Sequence, residues 1–183
     1  MLPQAGKIGW GATVNGKVIS YSIESNAILL DVLRDRLSLL GVKRGCDMGT
    51  CGCCAVLVDG KPRLSCLTLA QEVENCEITT VEGLADGHHL SPLQETFTTH
   101  GGSQCGFCTP GFLVSAEALL RSNNNPSDEE IKSAIEGNLC RCTGYQPIVD
   151  SIREAAEIIR SGKTTQNHTR PHSDPHPGFK SDS

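Results

Sequence analysis

Ten cysteines in 183 residues are the side chains of this sequence best suited to chemistry, and eight of them fall into two spaced groups. The first is Cys46-x4-Cys51-x2-Cys54 with Cys66 further on, set among Gly45, Gly49 and Gly52. The second is Cys105-x2-Cys108 with Cys140-x-Cys142 far downstream. A thiolate is a soft ligand for iron and zinc, and a thiol of lowered pKa can serve as a nucleophile or redox dithiol.

The spacing of the first group is that of a plant-type [2Fe–2S] cluster loop. Three thiolates converge from one loop only if the backbone reverses sharply. Glycine supplies that freedom at residues 45, 49 and 52, and lets amide N–H groups approach sulfur. Such contacts offset the negative charge of a cluster. Cys66 comes from the far side of a hairpin and completes the four. Four thiolates also suit zinc, but zinc sites usually bring two CxxC-like knuckles, whereas this loop is one long glycine-rich excursion. Cys53 competes for the place of Cys54; choosing it would give x4 then x1, which departs from the pattern, so Cys54 is taken as the ligand and Cys53 as a bystander. Cys76, alone before a strand, reads as packing.

In the second group Cys105 and Cys108 lie just before a helix beginning at Pro110, and Cys140 and Cys142 follow a capped helix over 128–137. Two helix-flanking loops can thus meet and supply two thiolates each, near exposed N–H groups that favour negative charge. Taken alone, CxxC with CxC also fits zinc or a redox dithiol.

The elements that position these groups divide the chain in two. Ala12–Val14 and Lys17–Ile23 flank Asn15-Gly16, a two-residue hairpin signal. Leu29, Val32, Leu33, Leu37 and Leu40 share one helical face, with Gly41 as a left-handed cap. Strands are expected at Ala55–Val58 and Pro62–Ser65, joined at Asp59-Gly60, and at Glu77–Val81. Glu82–Leu90 reads as an exposed connection. Beyond it Ser91-Pro92 and Thr109-Pro110 each read as an N-cap followed by proline, and Ser127 with Glu130 is a capping box. Ile148, Ile152, Ala155, Ala156 and Ile159 form the stripe of a last helix. The expected organisation is therefore α+β: a β-rich domain over 1–82, a four-helix domain over 90–162 and a disordered tail over 163–183. His168, His172 and His176 recur every four residues in that tail, but Pro171 and Pro175 prevent a helix from aligning them.

Composition narrows the function. A net charge of −5 argues against nucleic-acid binding by phosphate neutralisation. No basic stretch followed by an apolar run opens the chain, and no apolar run reaches the roughly 18 residues a membrane helix needs. Ten cysteines without a secretory signal point to a reducing compartment, so a cytoplasmic location is expected.

Three segments resemble the iron–sulfur subunit of molybdenum hydroxylases, the xanthine oxidase family with carbon monoxide dehydrogenase, N-heterocycle hydroxylases and 4-hydroxybenzoyl-CoA reductase. They are Gly45-Cys46-Asp47-x-Gly49-x-Cys51-Gly52-x-Cys54, Gln104-Cys105-Gly106-Phe107-Cys108-Thr109-Pro110-Gly111 and Asn138-Leu139-Cys140-Arg141-Cys142-Thr143-Gly144-Tyr145. The resemblance spans roughly residues 8–160. It implies a β-grasp, ferredoxin-like domain followed by a four-helix bundle, each with one [2Fe–2S] cluster. It further implies that Cys105, Cys108, Cys140 and Cys142 hold a cluster near a molybdopterin, and that Cys46, Cys51, Cys54 and Cys66 hold one nearer a flavin. Gln104 and Cys142 would then lie close to the pterin. The family usually has a small residue such as alanine where this chain has Cys53. The implied function is relay of single electrons between a large molybdopterin-binding subunit and a medium FAD-binding subunit, in an αβγ trimer or its dimer. The alternative is a stand-alone two-cluster electron carrier.

Overall fold

The computed structural model of the chain describes residues 6–162. The tail expected from residue 163 onward, with its three histidines, lies outside the described residues.

Strands β1 (Lys7–Val14) and β2 (Lys17–Glu24) form a hairpin closed by Asn15 and Gly16 at φ 48° and 75°. Both turn residues are left-handed, as a two-residue turn matching the strand twist requires. Strands β3 (Ala55–Val58) and β4 (Lys61–Leu64) repeat this device at Asp59 and Gly60. Strand β5 (Glu77–Thr79) joins the hairpins into one sheet of order β2-β1-β5-β3-β4, parallel to β1 and antiparallel to β3. Trp10, Val14, Ile23, Val56, Val58 and Ile78 fill the core beneath the sheet. The indole N–H of Trp10 is satisfied by the Ala70 carbonyl at 2.7 Å. Pro62 sits in β4 at the sheet edge, where a missing N–H costs no ladder bond.

The first helix is shorter than its apolar stripe suggests. One turn, α1 (Leu29–Asp31), continues as a π-helical turn over Val32–Arg36 and stops at Leu37. Ser38 takes the left-handed conformation expected of Gly41, and Leu40 is exposed. Gly41 has a different reason to lack a side chain: a Cβ there would run into Val81 and Glu82. The strand expected to run to Val81 stops at Thr79, and Val81–Leu84 forms a 3-10 turn. Here Glu82 accepts from the Gly41 N–H at 2.7 Å and from the Thr80 hydroxyl at 2.5 Å. The expected exposed connection therefore begins as a tied segment and is fully exposed only over Asp86–Leu90.

Four helices follow: α2 (Pro92–Thr99), α3 (Thr109–Ser122), α4 (Asp128–Ile135) and α5 (Gln146–Ser161). Ser91 with Gln94 and Ser127 with Glu130 form capping boxes. Thr109 does not cap α3; it is already helical, with Cys108 as N-cap, and its hydroxyl donates to Ser103 at 2.9 Å. Phe97, Phe112, Ile131, Ile148 and Ile152 are buried together, while Ile159 emerges at the end of its stripe. No helix among the described residues is long and apolar enough to cross a membrane.

The two halves share β3. All four of its residues are buried, although successive side chains of a strand point to opposite faces. Val56 and Val58 face the sheet's core, and Ala55 and Leu57 pack with Val114 of α3.

Two cysteine sites and the seam between them

Cys46, Cys51, Cys54 and Cys66 line one tight void together with Leu30, Arg44, Gly45 and Asp47. The thiols fall into pairs, Cys46 within hydrogen-bond reach of Cys51 and Cys66 of Cys54. Asp47, Gly49 and Gly52 take φ 55°, 76° and 70°, which turns successive amides inward. Gly45 keeps an ordinary φ but is needed for closeness, because a Cβ there would lie 2.7 Å from the Cys51 sulfur. The Thr50 side chain, then the Met48 amide and Cys51, hold the Cys46 thiol down to about 6. Burial, then Cys54, pushes Cys66 up to about 11, against a hydrogen bond from the Gly49 amide. Arg44 pairs with both Asp31 and Asp47, tying this loop to the first helix.

The second set is paired as well, Cys105 with Cys142 and Cys108 with Cys140. The outer pair is exposed, beside exposed Gln104, Phe107 and Leu139; Cys108 is buried. The Phe107 amide, then Cys142, lowers Cys105. Burial, then Cys140, pushes Cys108 up to about 12. Burial also raises Cys140, but the Thr143 hydroxyl at 3.2 Å and amide at 3.5 Å outweigh it and leave it lowered. Tyr145, held at φ 70°, accepts from the Cys140 N–H at 3.0 Å and donates to the Asn138 carbonyl at 3.3 Å. Its ring meets Phe112 edge-on at 6.0 Å.

Between the two sets runs a buried seam. The Leu139 N–H donates to the Cys51 carbonyl at 2.9 Å, so a residue of one cysteine group is one hydrogen bond from the neighbour of Cys140. The Asn138 amide donates to the Gly52 carbonyl at 3.1 Å and accepts from the Ser115 hydroxyl at 2.9 Å. Cys53 lies outside the void of the first set and packs with Cys51 among the apolar residues of the bundle, while Cys54 belongs to the core under the sheet. Burial, then Cys51, pushes the Cys53 thiol up to about 12. Cys76 is partly buried against the sheet's core, beside Asp59.

The eight expected thiols are thus gathered four and four. Sequence reasoning gave no role to Arg44, Ser115, Asn138 or Tyr145, although Asn138 and Tyr145 stand inside a quoted motif. Nothing in the residue types signals that one buried amide would face a loop 86 residues away. Chemically the donor sets fit [2Fe–2S] clusters: thiols in two pairs, one pair for each iron, with N–H and O–H groups aimed at sulfur.

Comparison with known proteins agrees. The family of 2Fe-2S iron-sulfur cluster binding domains matches residues 15–99, and the family of [2Fe-2S] binding domains matches residues 80–153. The nicotine 6-hydroxylase small subunit of Paenarthrobacter nicotinovorans is 50% identical over 78% of this chain and 86% of its own length. The nicotinate dehydrogenase small FeS subunit of Eubacterium barkeri is 45% identical over 82% of this chain and 96% of its own. Against the aldehyde oxidoreductase of Megalodesulfovibrio gigas, identity is 46%, and the match spans 82% of this chain but only 17% of that longer protein. Quinoline 2-oxidoreductase from Pseudomonas putida 86 has a chain that superposes with a TM-score of 0.82 at 46% identity, covering 86% of this chain and 99% of that one. Likeness of this depth, across nearly the full length of small subunits, settles kinship: the chain belongs to the small iron–sulfur, electron-transfer subunits of the molybdenum hydroxylase family.

Proposed function

We propose that this chain holds two [2Fe–2S] clusters and relays single electrons between a molybdopterin site on a large partner subunit and a FAD site on a medium one, in the cytoplasm. Its domains on this reading are 1–82 and 90–162. The observation that carries it is the row of thiols: an exposed pair, Cys105 and Cys142, an inner pair, Cys108 and Cys140, then the seam and the four thiols around Cys51. When bound, each cluster takes up and gives back one electron at a time, which divides the two electrons of a substrate oxidation. Cys46 with Cys51 would hold one iron of the ferredoxin-type cluster and Cys54 with Cys66 the other. Cys105 with Cys142 and Cys108 with Cys140 would do the same in the bundle. Cys46, Cys105 and Cys140, the thiols lowered by hydrogen bonds, would be the more readily ionised ligands of their sites. Exposed Gln104, beside the outer pair, would present its side-chain amide to the pterin.

The relatives' names range over nicotine, nicotinate, quinoline and aldehydes. Similar small chains, or a similar stretch of a longer one, occur in all of these, so substrate choice would belong to the large partner. The test is anaerobic isolation of the chain with its partners. We expect about four iron and four inorganic sulfide per chain, and two distinct S = 1/2 signals in electron paramagnetic resonance on reductive titration. A colourless chain holding zinc would refute the reading. A brown chain that never co-purifies with larger subunits would make it a free electron carrier instead.

A further inference from the structure

Asn138 is 3% exposed, and each of its polar groups is used. Its N–H donates to the Ile135 carbonyl at the end of α4, and its carbonyl accepts from Tyr145. Its side-chain oxygen accepts from Ser115 of α3, and its side-chain nitrogen donates to Gly52. The next residue, Leu139, donates to Cys51. Adjacent residues 138 and 139 are therefore bonded to adjacent residues 52 and 51, a two-rung ladder between the loop that carries Cys51 and Cys54 and the loop that carries Cys140 and Cys142. One hydrogen bond between loops is a hinge, and a second removes the rotation. The Leu139 rung is main chain and survives any side-chain change; only the Asn138 rung is written in a side chain. The packing around it leaves no slack, since a Cβ on Gly52 would strike the Gly137 carbonyl and one on Gly111 would strike the Gly52 carbonyl.

We propose that Asn138 is a positioning residue for inter-cluster electron transfer, its amide holding the two cluster loops at one separation and orientation. The inference rests on the electron-relay reading above. Electron tunnelling falls exponentially with distance, so a loop free to swing about the Leu139 rung transfers more slowly without any change in ligands.

The test uses the full chain, loaded and assembled with its partner subunits, as wild type, Asn138→Leu, Asn138→Ala and Ser115→Ala. Leucine has the branched heavy-atom skeleton of asparagine with somewhat bulkier ends but makes neither bond, whereas alanine removes both bonds and bulk, so a role in filling space alone predicts that leucine stays much closer to wild type than alanine does. We expect full iron in every variant and weaker magnetic splitting between the two reduced clusters in both Asn138 variants. Amide exchange at Leu139 should be faster in them. Transfer from the bundle cluster to the ferredoxin-type cluster, followed by rapid mixing, should slow severalfold in both Asn138 variants. Ser115→Ala should give a smaller loss in the same direction. Unchanged splitting and transfer in iron-replete Asn138→Leu would overturn the proposal, as would loss of iron in both Asn138→Leu and Ser115→Ala, which would make the residue one of assembly. Wild type that holds iron but passes no electrons between clusters would instead sink the relay reading itself.

Discussion

Replacing Gly111 by alanine sets two physical effects against each other at the seam. By helix propensity alone the change gains up to about 1 kcal/mol. In this fold Gly111 stands in the first turns of α3, facing the Cys51–Cys54 loop. An added methyl would fall well inside van der Waals contact of the Gly52 carbonyl oxygen, and would lie 3.1 Å from Cys53 Cα and 3.0 Å from the Asn138 amide nitrogen. The nearest obstacle is main chain, held by hydrogen bonds from Ala55 and Asn138, so no rotamer change relieves it. Forcing a methyl into such a site costs about 3 kcal/mol, the upper end for overpacking, and displacing the Gly52 carbonyl sacrifices a bond worth about 1 kcal/mol. After the propensity gain the net loss is about 3 kcal/mol, which for a chain of this length lowers the melting temperature by roughly 6–12 °C. The assay is thermal unfolding of the anaerobic, loaded chain by circular dichroism, with cluster absorbance recorded in the same scan. Gly137→Ala is the control, because a Cβ there meets nothing within 4 Å. It should be neutral or stabilising by up to about 1 kcal/mol. A Gly111→Ala chain that melts at or above wild type would refute the close packing of helix on loop.

Three further outcomes are expected. Cys54→Ser should abolish or severely destabilise the ferredoxin-type cluster, since a hydroxyl is harder than a thiolate and not ionised near neutrality, whereas Cys53→Ala should retain it; iron content and the two paramagnetic signals decide, and the reverse pattern would reassign the ligand. Arg153 bonds Asp128 at 2.8 Å and Asp150 at 2.7 Å and holds both carboxyls below the usual range, so Arg153→Met should lower the urea midpoint. Because the folded carboxyl pKa values are depressed, that stabilisation is complete above the unfolded value of about 3.9 and is lost as pH falls through the folded values; the gap between the chains should persist from about pH 7 down to about pH 4, and its earlier closure would contradict the assignment. Ser127→Ala removes half of the capping box on α4 and should cost about 1 kcal/mol in the same urea titration, with faster amide exchange confined to the first turn of that helix.

What the sequence determined by itself were the features set by neighbours along the chain. The Asn15-Gly16 and Asp59-Gly60 turns, the two capping boxes and the bundle stripe from Ile148 to Ala156 all formed as their residue types dictate, because a turn, a cap and a helix face are local. The spacing 46, 51, 54 likewise sufficed to gather those thiols, since one tight loop carries them. Local reasoning went astray where distant contacts outweigh propensity. The stripe through Leu37 and Leu40 promised a longer helix, yet the chain turns at Ser38, and Gly41 is bare of side chain because Val81 and Glu82 approach it from the end of the sheet. Thr109 had the chemistry of a cap but lies one residue inside the helix. Only the tertiary structure decided how the two cysteine sites stand to each other. That relation depends on α3 covering the outer face of β3, on two glycines letting main chain meet main chain, and on Asn138 reaching Gly52 across 86 residues. No periodicity or spacing encodes such a contact, because it exists only once both halves have folded and their surfaces have closed on each other.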